Sequence, residues 1–207
     1  MMTNKLYDVY PLFPRPLYRS KVDVGVDVDF ILSQEMRDNN TNLMSINQNL
    51  LSETRLEKLY LEITKHLNFF LSEFLGAKNC EAYITQSWSL INMPGHGMHE
   101  HSHSNSLISG SYYFTDMPKP DSDMVFNRYT GNQMPLKFSL DEEKINEYNT
   151  MDVSVKVEKH DVIIFPSDIS HYVADNLSNS PRHSIAFNAF VRGQLGDHNK
   201  SNLLMIQ

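Results

Sequence analysis

The sequence predicts a mainly β protein: a sandwich or barrel of jelly-roll type with N-terminal helices packed on one face. Helical spacing is confined to the first part of the chain, and many short apolar runs at near-regular intervals follow it. A length of 207 residues, with 41% hydrophobic and 21% charged residues, agrees with a single globular domain. We expect that domain to consist of an arm with supporting helices (1–80), a jelly-roll core (81–193) and a tail (194–207).

The first third of the chain predicts an extended arm, two helices and a loop. Prolines confine residues 1–24 to an edge strand or arm. Apolar spacing predicts a helix over 27–39 that Asp27 or Asp29 caps, and the Asn-rich run 39–49 is typical of a loop.

The second helix, over 52–75, carries the strongest periodic signal in the chain. Ser52 is a suitable N-cap, and Gly76 supplies the left-handed residue that ends a helix. The apolar positions recur at spacings of three and four and predict a face that lies on a sheet, namely Leu56, Leu59, Ile63, Leu67, Phe70 and Phe74.

Beyond Gly76 the apolar pattern changes from helical spacing to a period of two. Strands are predicted, in chain order, over 83–93, 107–114, 124–127, 151–157, 162–165 and 183–191. The polar stretch 128–150 is predicted to be a loop that covers a substrate, and the tail is expected to cover a sheet edge.

Charge, cysteine content and hydropathy exclude several classes of protein. A net charge of −7 with scattered basic residues argues against a general nucleic-acid binder. The single cysteine, Cys80, permits no intrachain disulfide and fits a reducing compartment. No window approaches 18 apolar residues, and the N-terminus has no apolar signal segment. We therefore expect a cytoplasmic protein without a membrane partner.

Four of the nine histidines fall within eight residues, at positions 96, 99, 101 and 103. His101 and His103 share one face of an extended chain, which suits two ligands of one metal. His171 follows a buried apolar run and is the best candidate for a third ligand. Three facial imidazoles with open positions favour non-haem iron(II), although zinc accepts the same ligands. His99 has the same parity and could replace His101, but we expect it at the surface or behind the ligands.

Arg182 lies at the start of the last predicted strand, eleven residues after His171. A buried arginine is costly unless it pairs with an anion, and its planar fork suits a carboxylate. A metal beside such an arginine would bind a dicarboxylate, with one end on the metal and the other on the guanidinium.

Four further positions are candidates, each with an ordinary structural alternative. Tyr113, or Tyr112 in its place, could contact a co-substrate in the pocket or pack in the core, and Asn105 could bond the ligand histidines or the co-substrate or cap a turn. Asn92 could point into the site or cap a loop. Asn188, a polar residue in an apolar strand, could face the pocket or face outwards.

Three stretches of the chain together resemble the 2-oxoglutarate/Fe(II) oxygenases of bacteriophages and marine bacteria, which belong to the prolyl 4-hydroxylase-like superfamily. They read H-S-H-S-N-S-L-I-S-G-S-Y-Y-F, D-V-I-I-F-P-S-D-I-S-H-Y-V and R-H-S-I-A-F-N-A-F-V-R-G-Q-L-G, and the opening P-L-F-P-R-P-L-Y is also similar. The resemblance covers most of residues 10–196. It implies a double-stranded β-helix, iron(II), 2-oxoglutarate and O₂.

Carried over by position, the resemblance makes His101 and His171 iron ligands and assigns Arg182 to the distal carboxylate of 2-oxoglutarate. Position 103 departs from the superfamily, which usually has Asp or Glu there. Either His103 completes a three-histidine site, which we prefer, or it lies behind the ligands and a water takes its place.

The resemblance implies a hydroxylase that couples oxidative decarboxylation of 2-oxoglutarate to oxidation of a C–H bond in a protein or small-molecule substrate. One alternative is a three-histidine dioxygenase that does not use 2-oxoglutarate, and another is a non-catalytic, cupin-like metal-binding protein. Arg182 argues against the metal-binding protein, because a structural metal site has no use for a buried arginine. In the three-histidine dioxygenase, Arg182 would bind the carboxylate of the substrate itself.

Overall fold

Two antiparallel β-sheets and one long helix form the fold in the computed structural model, which describes residues 8–120, 123–128 and 139–207. The helices are α1 (Val28–Leu32) and α2 (Glu57–Glu73). Short 3₁₀ turns occur at Leu50–Ser52, Thr54–Leu56, Glu142–Lys144 and His198–Lys200. The strands are β1 (Tyr18–Lys21), β2 (Met36–Asp38), β3 (Leu43–Ser45), β4 (Cys80–Asn92), β5 (Met98–His101), β6 (Ile108–Tyr112), β7 (Met124–Asn127), β8 (Asp152–Val155), β9 (Asp161–Pro166), β10 (His171–Val173), β11 (Arg182–Leu195) and β12 (Leu204–Ile206).

The larger sheet, which we call the major sheet, has the strand order β1-β9-β6-β11-β4-β3-β2, and β12 pairs with the end of β11. The minor sheet has the order β5-β10-β7-β8. The two sheets pack face to face where Phe126 of the minor sheet meets Phe165 of the major sheet, with ring centroids 4.9 Å apart. The prediction of a mainly β, antiparallel protein is confirmed, and the predicted tail contact with a sheet edge is the β12–β11 pairing.

The helix α2 covers the outer face of the major sheet. Its residues Leu59, Ile63, Leu67 and Phe70 are fully buried and join a core cluster with strand residues such as Phe187. Burial of each such side chain contributes about 1.5–3 kcal/mol, so this contact is a main source of stability for the sheet that carries the site. No helix in the described ranges is long and apolar enough to cross a lipid bilayer.

The prediction of N-terminal helices packed on one face is wrong in its extent, because α2 is the one long helix in the described residues. The helix expected over 27–39 ends at Leu32. Its second half forms β2, which pairs with β3 from the expected loop. Asn40, at φ 64°, allows the tight turn between them, and the ladder hydrogen bonds then outweigh a weak helical spacing. The Asp27 cap is confirmed, since its carboxylate accepts from the amide of Phe30 at 3.0 Å.

Ser52 does not cap α2. Two 3₁₀ turns intervene, and α2 begins only at Glu57 with Leu56 at the N-cap. The short strands β5 and β10 were also missed, because three or four residues carry too little period-two signal. Of the stretch predicted as a covering loop, residues 129–138 lie outside the described residues.

The strands of the major sheet present alternate residues to the minor sheet, and we call that side the inner face. Directly paired residues of antiparallel strands project to the same side. The register therefore places a polar set on the inner face, namely Gln86, Asn92, Ser109, Ser111, Arg182, Ser184 and Asn188. A polar inner face on strands whose other side is apolar marks the interior between the sheets as the candidate site.

Candidate metal centre

Three histidines meet at the edge of the minor sheet. His101 ends β5 and His171 begins β10, and the two are direct partners across the antiparallel pair. His103 follows two residues later. One ligand atom from each of the three lies within 4.8 Å of the others, so the trio could hold a metal ion. Ring centroids are 4.5 Å apart for His101 and His171, and 5.1 and 5.2 Å from these to His103.

Backbone carbonyls fix the tautomers of two of these imidazoles. Nδ1 of His101 lies 2.8 Å from the carbonyl of His99, and Nδ1 of His171 lies 2.9 Å from the carbonyl of Ile169. Because a carbonyl only accepts, each Nδ1 carries the proton, and each Nε2 keeps its lone pair for a metal. The same bonds hold the ring planes in place before a metal arrives.

Burial keeps the three imidazoles neutral. Desolvation lowers the pKa of His103 to about 3 and that of His171 to about 4. The pKa of His101 is lowered for the same reason, although its hydrogen bond to the His99 carbonyl opposes the shift. All three side chains are therefore unprotonated at neutral pH, which is the form that binds a metal.

Aromatic side chains surround the trio. Phe165 meets the ring of His171 edge-on at 4.7 Å, and Phe126 lies 5.8 Å from it. The ring of Trp88 lies on the inner face, 6.4 Å from that of His103, and Trp88 is only partly buried. These rings limit access of water to the imidazoles.

A chain of hydroxyl groups supports the loop that carries His103. The amide of His103 donates to the carbonyl of Ser167 at 2.9 Å. The Ser167 hydroxyl lies 2.8 Å from the hydroxyls of both Ser106 and Ser109, and Ser109 lies 2.8 Å from the Asn188 side chain. The loop is thus tied to both β9 and β11 of the major sheet, which holds His103 near its two partners.

The hydroxyl chain ends on the side chains of β11 and β4. The Ser106 hydroxyl donates to the backbone carbonyls of Ile108 and Ala189. The Ser109 hydroxyl donates to Oδ1 of Asn188, and Nδ2 of Asn188 donates to the side-chain oxygen of Gln86 at 3.4 Å.

Arg182 lies inside the protein on the inner face of the major sheet. The residue is 2% exposed, and no Asp or Glu within the described ranges forms an ion pair with it. One terminal nitrogen donates to the hydroxyl of Tyr113 at 3.3 Å, and the guanidinium lies 5.1 Å from that ring's centroid. Its Nε is buried and has no hydrogen-bond partner in the part of the chain that the structure describes. A buried, unpaired guanidinium of this kind indicates a binding site for an anion.

The structure places the remaining candidates apart from these groups or in supporting positions. His99 is exposed and outside the ligand cluster. Asn105 lies in an exposed turn at φ 55°. Asn92 is buried opposite Arg182 and donates to the carbonyl of Gly97 at 2.7 Å, which secures the loop after β4. Asn188 is buried on the inner face in the hydroxyl chain.

Sequence reasoning did not single out Ser109 or Ser167, which belong to the hydroxyl chain behind His103. Ser109 was detectable, since it is a polar residue in the apolar run of β6 and has the parity of the inner face. Ser167 lies in a turn, so its partners become visible only when β6 and β9 are paired.

Comparisons with known proteins agree with this chemistry. Residues 86–188, about half of the chain, match the family model described as "Putative 2OG-Fe(II) oxygenase". The epimerase SnoN, crystallised with Fe³⁺, alpha ketoglutarate and nogalamycin RO, has a TM-score of 0.62 at 12% identity over 86% of this chain and 81% of that one. HygX from Streptomyces hygroscopicus, with nickel, 2-oxoglutarate and hygromycin B bound, gives 0.57 at 13% identity over 84% and 82%.

A Pseudomonas putida prolyl-4-hydroxylase has a TM-score of 0.55 at 12% identity, over 84% of this chain and 92% of that one. At these identities the structural matches establish the jelly-roll fold. Sequence comparison with curated proteins finds no significant match. The family match identifies the class: the chain belongs to the 2-oxoglutarate- and iron(II)-dependent oxygenases. Iron(II), 2-oxoglutarate and O₂ are accordingly its cofactor and co-substrates.

Proposed function

We propose that the protein hydroxylates a C–H bond of its substrate, with His101, His103 and His171 as the iron ligands and Arg182 as the partner of the distal carboxylate of 2-oxoglutarate. The observation that carries the proposal is the buried guanidinium with its unpaired Nε, on the inner face that also meets the histidine trio. With iron(II) and 2-oxoglutarate bound, O₂ is reduced, 2-oxoglutarate is split to succinate and CO₂, and the substrate C–H becomes C–OH.

The histidine trio fits iron(II) in number, protonation and orientation. Three neutral imidazoles supply three nitrogen ligands and leave further positions of an octahedral ion open for a chelating co-substrate and O₂. They add no negative charge, so the bound ion would keep its full positive charge. Together with Arg182 this favours a dianionic co-substrate, since both ends of the pocket are then cationic.

Tyr113 has a positioning role in this proposal. Its hydroxyl accepts a hydrogen bond from Arg182, and its ring packs against the guanidinium group. These two contacts hold the guanidinium in one orientation. The aromatic rings around His171 exclude water, which strengthens the pairing of a carboxylate with the guanidinium. Asn105, which was also predicted to contact the co-substrate, is retained as a weaker candidate because its turn is exposed.

We propose that the substrate is a protein segment or a small molecule. Proteins of the same fold were crystallised with hygromycin B or nogalamycin RO bound, which supports a small-molecule substrate. Trp88, which lies beside His103 and is only partly buried, would contact the substrate. We further propose that residues 1–207 form one oxygenase domain and that it acts in the cytoplasm, with which the free thiol of Cys80 is compatible.

The test is anaerobic addition of Fe(II) and then 2-oxoglutarate to the metal-free protein. A visible charge-transfer band on the second addition, followed by succinate when O₂ is admitted, supports the proposal. Iron binding with neither band nor succinate refutes it and favours a metal-binding protein without oxygenase activity. Consumption of O₂ with a small carboxylate substrate, but without 2-oxoglutarate, favours the three-histidine dioxygenase.

The place of His103 is tested separately. In His103→Ala, an iron ligand would be lost, and the Fe(II) affinity should fall as steeply as in His101→Ala. His99→Ala is the matched control, because His99 is in the same segment but outside the cluster. If His103→Ala binds Fe(II) as the His99 variant does, a water rather than His103 takes the third position.

A further inference from the structure

One row of paired residues crosses the inner face of the major sheet at the level of the metal centre. Phe165 is the direct partner of Ser109, and Asn188 of β11 is paired with Ser109 on one side and with Gln86 on the other. The ring of Phe165 lies 4.7 Å from that of His171. Because partners on antiparallel strands project to the same side, Gln86 lies on the face and at the level of the histidine trio.

The neighbouring row of the inner face carries Trp88. Trp88 is paired with Ala186, two residues from Asn188 along β11, and its ring lies 6.4 Å from that of His103. Arg182 is six residues from Asn188 on the same strand, which is a distance of about 20 Å along an extended chain. The rows of Trp88 and Gln86 are therefore separate from the surroundings of Arg182.

Exposure of the inner face rises along β4 with distance from Arg182. Asn92, the direct partner of Arg182, is 1% exposed, whereas Leu90 and Trp88 are half-buried and Gln86 is exposed. Solvent therefore reaches the inner face from the Gln86 end, and a substrate has access to the histidine trio from there.

A β-bulge in β4 makes Gln86 the last residue of this face. Asn188 is opposite Gln86 but Ala189 is opposite Ile84, so Thr85 is an extra residue, and its hydroxyl donates to the carbonyl of Asn188 at 3.2 Å. The bulge turns Ile84 towards the helix-side core. The inner face consequently ends in a carboxamide rather than an isoleucine, and bulges beside active sites re-aim side chains in this way.

The side chains of the two rows are uncharged, and one hydrogen-bonding group among them is available to a ligand. Oε1 of Gln86 accepts from Nδ2 of Asn188 at 3.4 Å, while the NH₂ of Gln86 has no partner in the described part of the chain. An ionic substrate group would be desolvated there without a counter-charge from these rows. The two rows are Phe165, Ser109, Asn188 and Gln86, and Ile163, Ser111, Ala186 and Trp88.

We propose that Trp88 and Gln86 form a substrate subsite for a neutral, hydroxylated saturated ring of the glycoside or cyclitol type. One face of the ring lies on the Trp88 indole, and a ring hydroxyl accepts a hydrogen bond from the NH₂ of Gln86. A ring held there lies beside His103, so its C–H bonds come next to the metal centre. This inference rests on the proposed function, in which a C–H bond of the substrate is oxidised.

The test uses the fluorescence of Trp88, which is the one tryptophan of the chain and so reports directly on the subsite. Fe(II)-loaded protein is titrated anaerobically with 2-oxoglutarate by calorimetry. Its emission is then followed during titration with methyl β-glucopyranoside, with myo-inositol and with acetyl-prolyl-glycinamide, each with and without 2-oxoglutarate.

Three variants accompany the wild type. Gln86→Leu removes the carboxamide, and Gln86→Glu keeps Oε1 but replaces the NH₂ donor by an acceptor. Gln194→Leu is the matched control, because Gln194 lies at the other end of β11, where it is paired with Met205. Thermal unfolding at the wild-type temperature shows that each variant is folded.

The wild type should bind one of the two rings with a Kd of about 1 mM, the value for a ligand of about 12 non-hydrogen atoms. Both Gln86 variants should bind that ring about 5–10-fold more weakly, the effect of one lost hydrogen bond, and Gln194→Leu should bind it as the wild type does. A response to methyl β-glucopyranoside alone supports a glycoside, and a response to myo-inositol alone supports a cyclitol.

Emission that responds to neither ring, or that responds equally in the wild type and in Gln86→Leu, overturns the subsite. A response to the prolyl peptide alone overturns the ring substrate and favours a protein segment. A wild type that does not bind 2-oxoglutarate overturns the proposed function instead, and the ring titrations without co-substrate still decide on the subsite. The two failures are therefore distinguishable.

Discussion

Replacement of Arg182 by methionine should stabilise the ligand-free protein and abolish its response to 2-oxoglutarate. The guanidinium is 2% exposed and has no carboxylate partner among the described residues. An uncompensated buried charge costs about 3 kcal/mol, whereas the lost contacts with Tyr113 are worth about 1–2 kcal/mol. The net gain is about 1–2 kcal/mol, which raises Tm by about 2–8 °C in a domain of this size.

The ligand should shift the two proteins differently. At 2-oxoglutarate concentrations of about 100 Kd, binding stabilises the Fe(II)-loaded wild type by about 2.7 kcal/mol. Arg182→Met should show almost none of this gain, because the distal carboxylate has lost its charged partner. Differential scanning calorimetry under anaerobic conditions, with and without 2-oxoglutarate, measures both quantities on the same samples.

Arg192→Met is the matched control, since Arg192 lies on the same strand but is exposed and pairs with Glu81 at 2.6 Å. A surface pair of this kind is worth about 0–1 kcal/mol, so this variant should keep both the stability and the ligand response. A loss of stability in ligand-free Arg182→Met, or a ligand response equal to that of the wild type, would refute the view that Arg182 is an unpaired charge held for an anion.

Three further variants test the metal centre and the fold. His171→Ala removes a buried imidazole of the trio and should lower Fe(II) affinity by more than the roughly 10–100-fold that loss of a supporting group causes, measured as metal content after dialysis. Leu67→Ala empties a fully buried position on α2 and should cost about 2–5 kcal/mol in urea unfolding. Burial holds the pKa of His66 below its ordinary 6.5, so below that pH the unfolded chain takes up a proton that the folded protein excludes. Stability should therefore fall as the pH drops from 7.5 to 5, and less steeply in His66→Gln.

A specific result would contradict each of these three predictions. Full iron content in His171→Ala would remove His171 from the ligand set. A cost below about 1 kcal/mol for Leu67→Ala, similar to that of the half-exposed Leu61→Ala, would contradict the packing of α2 on the major sheet. Identical pH profiles for the wild type and His66→Gln would show that the His66 imidazole is not desolvated by folding.

The sequence determined those features that depend on local pattern. The apolar stripe of α2 and the strands β4 and β11 were predicted because each is long enough for its period to be recognised. The shorter strand β9 was predicted as a continuous apolar run between turn residues. The i, i+2 spacing of His101 and His103 likewise needs only an extended chain. The motifs containing these histidines, His171 and Arg182 also carried the resemblance that the family match confirmed.

Only the tertiary structure decided which distant residues meet. The pairing of His171 with His101 depends on β5 and β10, strands too short to leave a periodic signal. The end of the helix at Leu32 depends on β2 pairing with β3, which local spacing does not encode. The hydroxyl chain, and the lack of a carboxylate partner for Arg182 among the described residues, are both relations between strands. Such relations follow from sheet order and burial, so they become visible only once the whole chain has folded.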